Sequence, residues 1–149
     1  MKASRTLISL KKVVVTPSGA GIFLGNDKKV FIIYVDILMG EQIRAAVKNN
    51  NQSNPRPLTF DFLRYILHGF DISIQTIVIY NSENGVFFSK VVLKQQGAVD
   101  KIVEMDIRPS DAILLSISTG KPLLIDEDLL QKLPDASELL NNFNKLNVE

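Results

Sequence analysis

Residues 101–113 constrain this chain more than any other stretch. They read as a strand of alternating character that runs to Ile107 and turns directly into a helix. Pro109 suits the first helical position, where its missing N–H costs nothing. Ser110 and Asp111 follow in the first turn, where a hydroxyl or carboxylate meets unpaired backbone N–H groups and the positive end of the helix dipole. Arg108 stands between two carboxylates, Asp106 and Asp111. Two readings fit this corner. In one it is a clamp, with Arg108 paired to an acid and the acid capping the helix, which accounts for every residue type present. In the other it faces a ligand or a scissile phosphate.

Such a corner needs a core to press against. The chain has 149 residues, 46% of them apolar, which suits one packed domain rather than a disordered segment. There is no cysteine, so disulfides, thiol catalysis and cysteine metal sites are excluded together. His68 is the only histidine, which with no cysteine argues against a zinc site. Seventeen basic against 16 acidic residues give a net charge of +1. That argues against a binder held to nucleic acid by bulk charge, though a local patch fits within such a total. The first residues lack the apolar region of a signal peptide, and no apolar run is long enough to span a bilayer. The expectation is a cytoplasmic protein with no membrane association.

Along the chain, β-branched residues predict a strand over 6–16, a turn over 17–21, a short strand over 22–24 and a buried strand over 30–35. Ile43, Ala46 and Val47 at spacings of three and four predict a helix over 38–48. An asparagine-rich loop over 49–55 follows. Thr59 is the expected N-cap of a second helix, with Asp61 in its first turn and Gly69 at its end. His68 falls in the last turn of that helix, where it complements the dipole. Strands are expected over 72–80 and 86–94, joined by a tight turn at Asn84-Gly85, and a third reaches Ile107. The helix from Pro109 stops at Thr119-Gly120. A short buried or edge strand covers 122–125. Asp126 and Asp135 are the expected caps of helices over 127–133 and 136–143, and residues 144–149 should fray.

A repeat is visible at an offset of 70 residues. Asp36-Ile37 matches Asp106-Ile107, Glu41 matches Asp111, Ile43 matches Ile113 and Val47 matches Ile117. The predicted fold class is α+β, with mostly antiparallel strands, several helices and an internal duplication of a β–β–α unit. Residues 1–133 are read as a single domain and 134–149 as a C-terminal helix and tail.

The chain has no Gly-rich phosphate loop, no His-Glu-x-x-His and no Gly-x-Ser-x-Gly. Carboxylates and arginines remain. Asp61, Asp106 and Asp111 are oxygen donors of the kind that hold Mg²⁺ or Mn²⁺, and Arg56 and Arg108 are bidentate partners for phosphate. Their spacings form no standard metal motif.

Three stretches carry a resemblance. Pro55-Arg56-Pro57-Leu58-Thr59-Phe60-Asp61, then Asp106-Ile107-Arg108-Pro109-Ser110-Asp111-Ala112-Ile113, then Thr119-Gly120-Lys121-Pro122-Leu123 resemble the bifunctional nuclease domain family. The likeness covers residues 30–130 with the motifs in order. It implies a compact α+β fold, DNase or RNase activity in some members, a nucleic-acid partner, and self-association as a homodimer or higher oligomer. Carried onto this sequence, it makes Asp61, Asp106, Arg108, Ser110 and Asp111 the catalytic candidates and Arg56 and Arg108 the phosphate-binding ones.

The chain departs from the family pattern at two places. The histidine expected after Thr59 is Phe60, and the acid expected at the start of the first helix is Met39, with Glu41 close by. Phe60 cannot move a proton. His68 is a poor substitute, since eight residues on it lies about 80° round a helix and roughly 12 Å along it. Two functions follow from this. One is phosphodiester hydrolysis weakened by the missing histidine and supported by carboxylates with a divalent metal. The other is a non-catalytic binding or regulatory module on the same fold.

Overall fold

The computed structural model describes residues 3–48, 56 and 58–146. Its strands are β1 (Arg5–Thr16), β2 (Gly19–Gly25), β3 (Val30–Val35), β4 (Ile72–Glu83), β5 (Val86–Gln95), β6 (Lys101–Ile107) and β7 (Leu123–Asp126). Its helices are α1 (Ile37–Lys48), α2 (Thr59–Gly69), α3 (Pro109–Thr119), α4 (Glu127–Lys132) and α5 (Ser137–Leu146). The asparagine-rich stretch 49–55 lies outside the described residues.

All seven strands join one sheet in the order β3-β2-β1-β7-β4-β5-β6. Every pairing is antiparallel except that of β4 with β7. The fold is therefore α+β, as the sequence indicates. Two three-stranded meanders, β1-β2-β3 and β4-β5-β6, flank β7, and each runs on into a helix, α1 or α3. Because β7 is antiparallel to β1 and parallel to β4, the two meanders run in opposite senses. A two-fold rotation about the sheet normal at β7 would produce this arrangement. The repeat unit is thus β–β–β–α. It is offset by 72 residues and not 70, since Val35 and Ile107 end matching strands and Ile37 and Pro109 begin matching helices.

The sheet curls strongly. Phe31 of β3 stacks on Phe87 of β5 at 5.8 Å between centroids, although four strands lie between them in the sheet. Ile22, Leu24, Phe31, Ile33, Ile77, Ile79 and Ile125 point into the concave side, where Ile43 of α1 and Ile113 of α3 meet them. Strand alternation sends the intervening residues to the convex side. There α5 covers β1-β2-β3, with Phe143 edge-on to Phe23 at 6.0 Å.

Local chemistry explains where elements begin and end. Asp36 caps α1, its Oδ1 accepting the Met39 N–H at 2.7 Å. Gly40 lets α1 lie against β2, because a Cβ there would collide with the Ala20 side chain. Asn84 and Gly85, with φ of 53° and 80°, form the expected hairpin turn. Gly120 closes α3 in the left-handed conformation, donating to Ser116 O at 2.9 Å.

Some expectations shift. The cap of α2 is Leu58 and not Thr59, and Asp61 serves by accepting the Leu58 N–H at 2.9 Å. Asp126 holds the expected N-cap position of α4 but makes no side-chain cap bond, its carboxylate pairing with Arg5 instead. Asp135 does secure α5, accepting both the N–H and the hydroxyl of Ser137 and also the Val30 N–H. Gly19-Ala20-Gly21 joins β2 instead of the turn, pairing with Thr16, Val15 and Val14.

Candidate functional site

The corner at the end of β6 is built from its two flanking elements. Ile107 turns into the core, Arg108 ends the extended backbone at φ −66° and ψ 145°, and Pro109 opens α3. The Arg108 side chain folds back on Asp111 one turn on. Nε donates to Oδ2 at 2.9 Å and Nη2 to Oδ1 at 3.3 Å, a two-pronged pair. Asp111 pushes the pKa of the guanidinium up through this bond and its charge, with a smaller contribution from Asp36. Asp36 caps α1, so the openings of α1 and α3 share one electrostatic neighbourhood. Arg108 is nonetheless 72% exposed, against 29% for the Asp111 side chain. Asp111 holds the inner side of the fork, and the remaining N–H groups face solvent.

Ser110 does not share this exposure. It is buried, with only 8% of its surface accessible, beneath the corner and beside Ala112 and Ile113.

Asp106 is separated from Asp111 by the sheet itself. Ile107 faces the core, so Asp106 faces the convex side, in a cross-strand row with Lys90, Val78, Leu124 and Leu7. There it accepts the Tyr80 hydroxyl at 3.3 Å. Burial and then the facing Asp106 carboxylate push the pKa of the Tyr80 hydroxyl up. Lys90 lies 5.1 Å from the Tyr80 ring and pairs with Glu104 at 3.0 Å.

Asp61 lies in a third place. Arg64 donates to Ser118 O at 3.1 Å, at the C-terminal end of α3, and its other nitrogen is 3.9 Å from Asp61. Arg108 and Asp111 sit at the opposite end of α3, about 15 Å away along an 11-residue helix. Among the described residues no three acidic or histidine side chains gather closely enough to hold a metal ion. The three acids as placed do not fit a divalent cation.

Phe60 turns inward, half-buried and packed against the core. Arg56 is exposed just before α2. The other four arginines each have a carboxylate partner: Arg5 with Asp126, Arg44 with Glu41, Arg64 with Asp61 and Arg108 with Asp111. The residues that sequence reasoning missed are Asp36, which the 70-residue offset paired with Asp106 instead of Arg108, and Tyr80, whose only signal was its alternation within β4.

A family model described as bifunctional nuclease domain matches residues 8–137. The chain belongs to the bifunctional nuclease domain family. Two curated relatives from Mycobacterium tuberculosis, of strains CDC 1551 / Oshkosh and ATCC 25618 / H37Rv, are each 26% identical over 111 residues. Both carry the name of uncharacterised protein. The alignment takes in 70% of this chain and 64% of each relative, so it spans less than two thirds of their length. The family match takes in both meanders and α3, with the Arg108–Asp111 corner, and it ends where α5 begins. No described helix is long and apolar enough to cross a membrane.

Proposed function

We propose that this chain is a phosphodiester-directed member of the bifunctional nuclease domain family whose hydrolytic step is weakened. In this reading Arg108 contacts a phosphate of DNA or RNA, and Asp111 is its positioning partner. The observation that carries it is the exposed, two-pronged Arg108–Asp111 pair at the opening of α3, where the helix dipole adds to the attraction for an anion. The weakening follows from Phe60, which packs on the core where the family pattern has a histidine. The reading takes the cytoplasm as the setting, since no cysteine calls for an oxidising compartment.

The test compares the native chain, Phe60→His and Arg108→Ala on plasmid DNA and on RNA, with EDTA, Mg²⁺ or Mn²⁺. Phe60→His should raise cleavage by about 10²-fold or more, with a rate that climbs through neutral pH as the imidazole loses its proton. It should also cost about 1–3 kcal/mol of stability, because an imidazole replaces half-buried apolar volume. Arg108→Ala should abolish what cleavage there is. A second reading, a binding module without hydrolysis, is favoured by the separation of Asp61, Asp106 and Asp111. It predicts no cleavage in any form but salt-dependent nucleic-acid binding that Arg108→Ala removes. Neither cleavage nor binding would sink both readings.

Self-association is part of the proposal. Phe62 and Tyr65 on α2, with Phe70 just beyond its end, form an apolar and largely exposed surface. Light scattering at tens of micromolar should give at least a dimer mass, and Phe62→Glu should halve it. A monomer mass for the native chain counts against this element.

A further inference from the structure

The convex side of the first meander carries a cleft that the corner chemistry does not use. The helix α5 is tethered over this surface at both ends and bridges it in between. At one end the Ala136 N–H donates to Val30 O at 2.7 Å, and Asp135 accepts the Val30 N–H. At the other end Phe143 meets Phe23, and the Lys12 Nζ donates to Asn144 at 3.2 Å. Between these ties lies an open cleft of about 300 Å³, with Leu139 above and Gly21 of β2 below.

Gly21 is the telling residue. Its cross-strand neighbours are Val14 and Tyr34. A Cβ added to it would meet only the Ile32 side chain at 3.4 Å and the Tyr34 ring at 3.9 Å, both ordinary contacts. Its backbone does not take the left-handed conformation that demands glycine. Gly40 differs, since a Cβ there would collide with Ala20. Glycine inside a strand weakens it by roughly 0.5–1 kcal/mol. A glycine inside a strand often marks a bulge, a tight bend, or a place where a ligand or another backbone approaches closely, and no register shift falls at Gly21. Gly21 lines the cleft with bare backbone.

We propose that the cleft between α5 and the first meander is a binding site for an uncharged, flat aromatic molecule of one or two rings. The volume is at the lower end of small-molecule pockets, which limits the ligand to that size. The floor at Gly21 is bare backbone, and Phe23, Tyr34 and Phe143 supply aromatic faces and edges. No acidic or basic side chain lines the cleft, so a charged ligand would be desolvated without a partner. Thr16 and Ser18 stand at one end with hydroxyls that can meet a single hydroxyl or carbonyl of the ligand. The family match ends at residue 137, so the upper wall belongs to the part of this chain beyond the shared domain.

The experiment titrates the full-length protein with 2-naphthol and follows backbone amide shifts by NMR. Saturable shifts confined to residues 14–23, 32–35 and 139–143 are the expected result. Gly21→Val, which fills the cleft from below and suits a strand, should weaken binding at least tenfold without lowering the melting temperature. Should that variant fail to fold, Leu139→Trp fills the cleft from the helix side and is read instead. Gly69→Ala, where a Cβ meets nothing within 4 Å, is the control and should bind as the native chain does. The proposal is overturned by an absence of saturable shifts up to about 1 mM, by shifts centred on the exposed face of α2, or by undiminished affinity in the filled variant.

Discussion

The two halves of this molecule share a plan and differ in how they use it. Each is a three-stranded meander running into a helix on the concave side of the sheet. In the first half the corner is closed. Asp36 caps α1 with its own side chain, Gly40 brings the helix tight against Ala20, and α5 covers the far side of the strands. In the second half the equivalent cap position is Arg108, which makes no side-chain cap bond. Its charge is held by Asp111, at the position where α1 has Met39, and stays open to solvent. Among the described residues the convex side there carries no helix like α5 but a set of paired charges, Lys90 with Glu104 and Lys94 with Asp100. The two halves therefore share one architecture, and the residues at two matching positions, Asp36 and Met39 against Arg108 and Asp111, make one corner scaffold and the other an exposed cation.

The largest test of this contrast on stability is Gly40→Ala. The added Cβ collides with Ala20, so α1 must shift, and the expected cost is about 1–3 kcal/mol in a urea titration. A smaller effect separates the two corners. Asp36→Ala should cost about 1 kcal/mol through the lost cap. Arg108→Ala should cost less than about 0.5 kcal/mol, because an exposed ion pair contributes little. Equal losses at the two positions would make the second corner a clamp like the first and remove its claim to function.

The smallest effect concerns acid. Hydrogen bonds from Ser137 and then from the Val30 backbone hold the Asp135 carboxyl below its ordinary value of 3.8. A depressed carboxylate stabilises the folded state at pH above its unfolded pKa, and the contribution is lost as pH falls through the lower folded value. The tie between α5 and β3 should therefore loosen only below about pH 4. Amide shifts of residues 137–143 should report it, and Asp135→Asn should remove that pH dependence. Loosening near neutrality would assign the tie to another group.

Much of the fold was legible in the chain itself. The β-branched residues of β1, the alternation of β4, the Asn84-Gly85 turn, Pro109 at the start of α3 and Gly120 at its end follow local rules, and local rules act on neighbours in sequence. The Arg108–Asp111 pair was legible for the same reason, since three residues along a helix is one turn. What lay beyond reach was everything that depends on which face of the sheet a side chain occupies. Asp106 and Asp111 are five positions apart, yet strand alternation and the core contact of Ile107 put them on opposite sides. Asp61 carries the expected motif around it but packs by the far end of α3. Asp36 adds to the field at Arg108 because the sheet curls and brings α1 against α3. Sequence alone determined the elements and the one pair that a single helical turn can join. The tertiary structure decided which acids meet, because that depends on register, strand direction and sheet curvature, which no short stretch of the chain encodes.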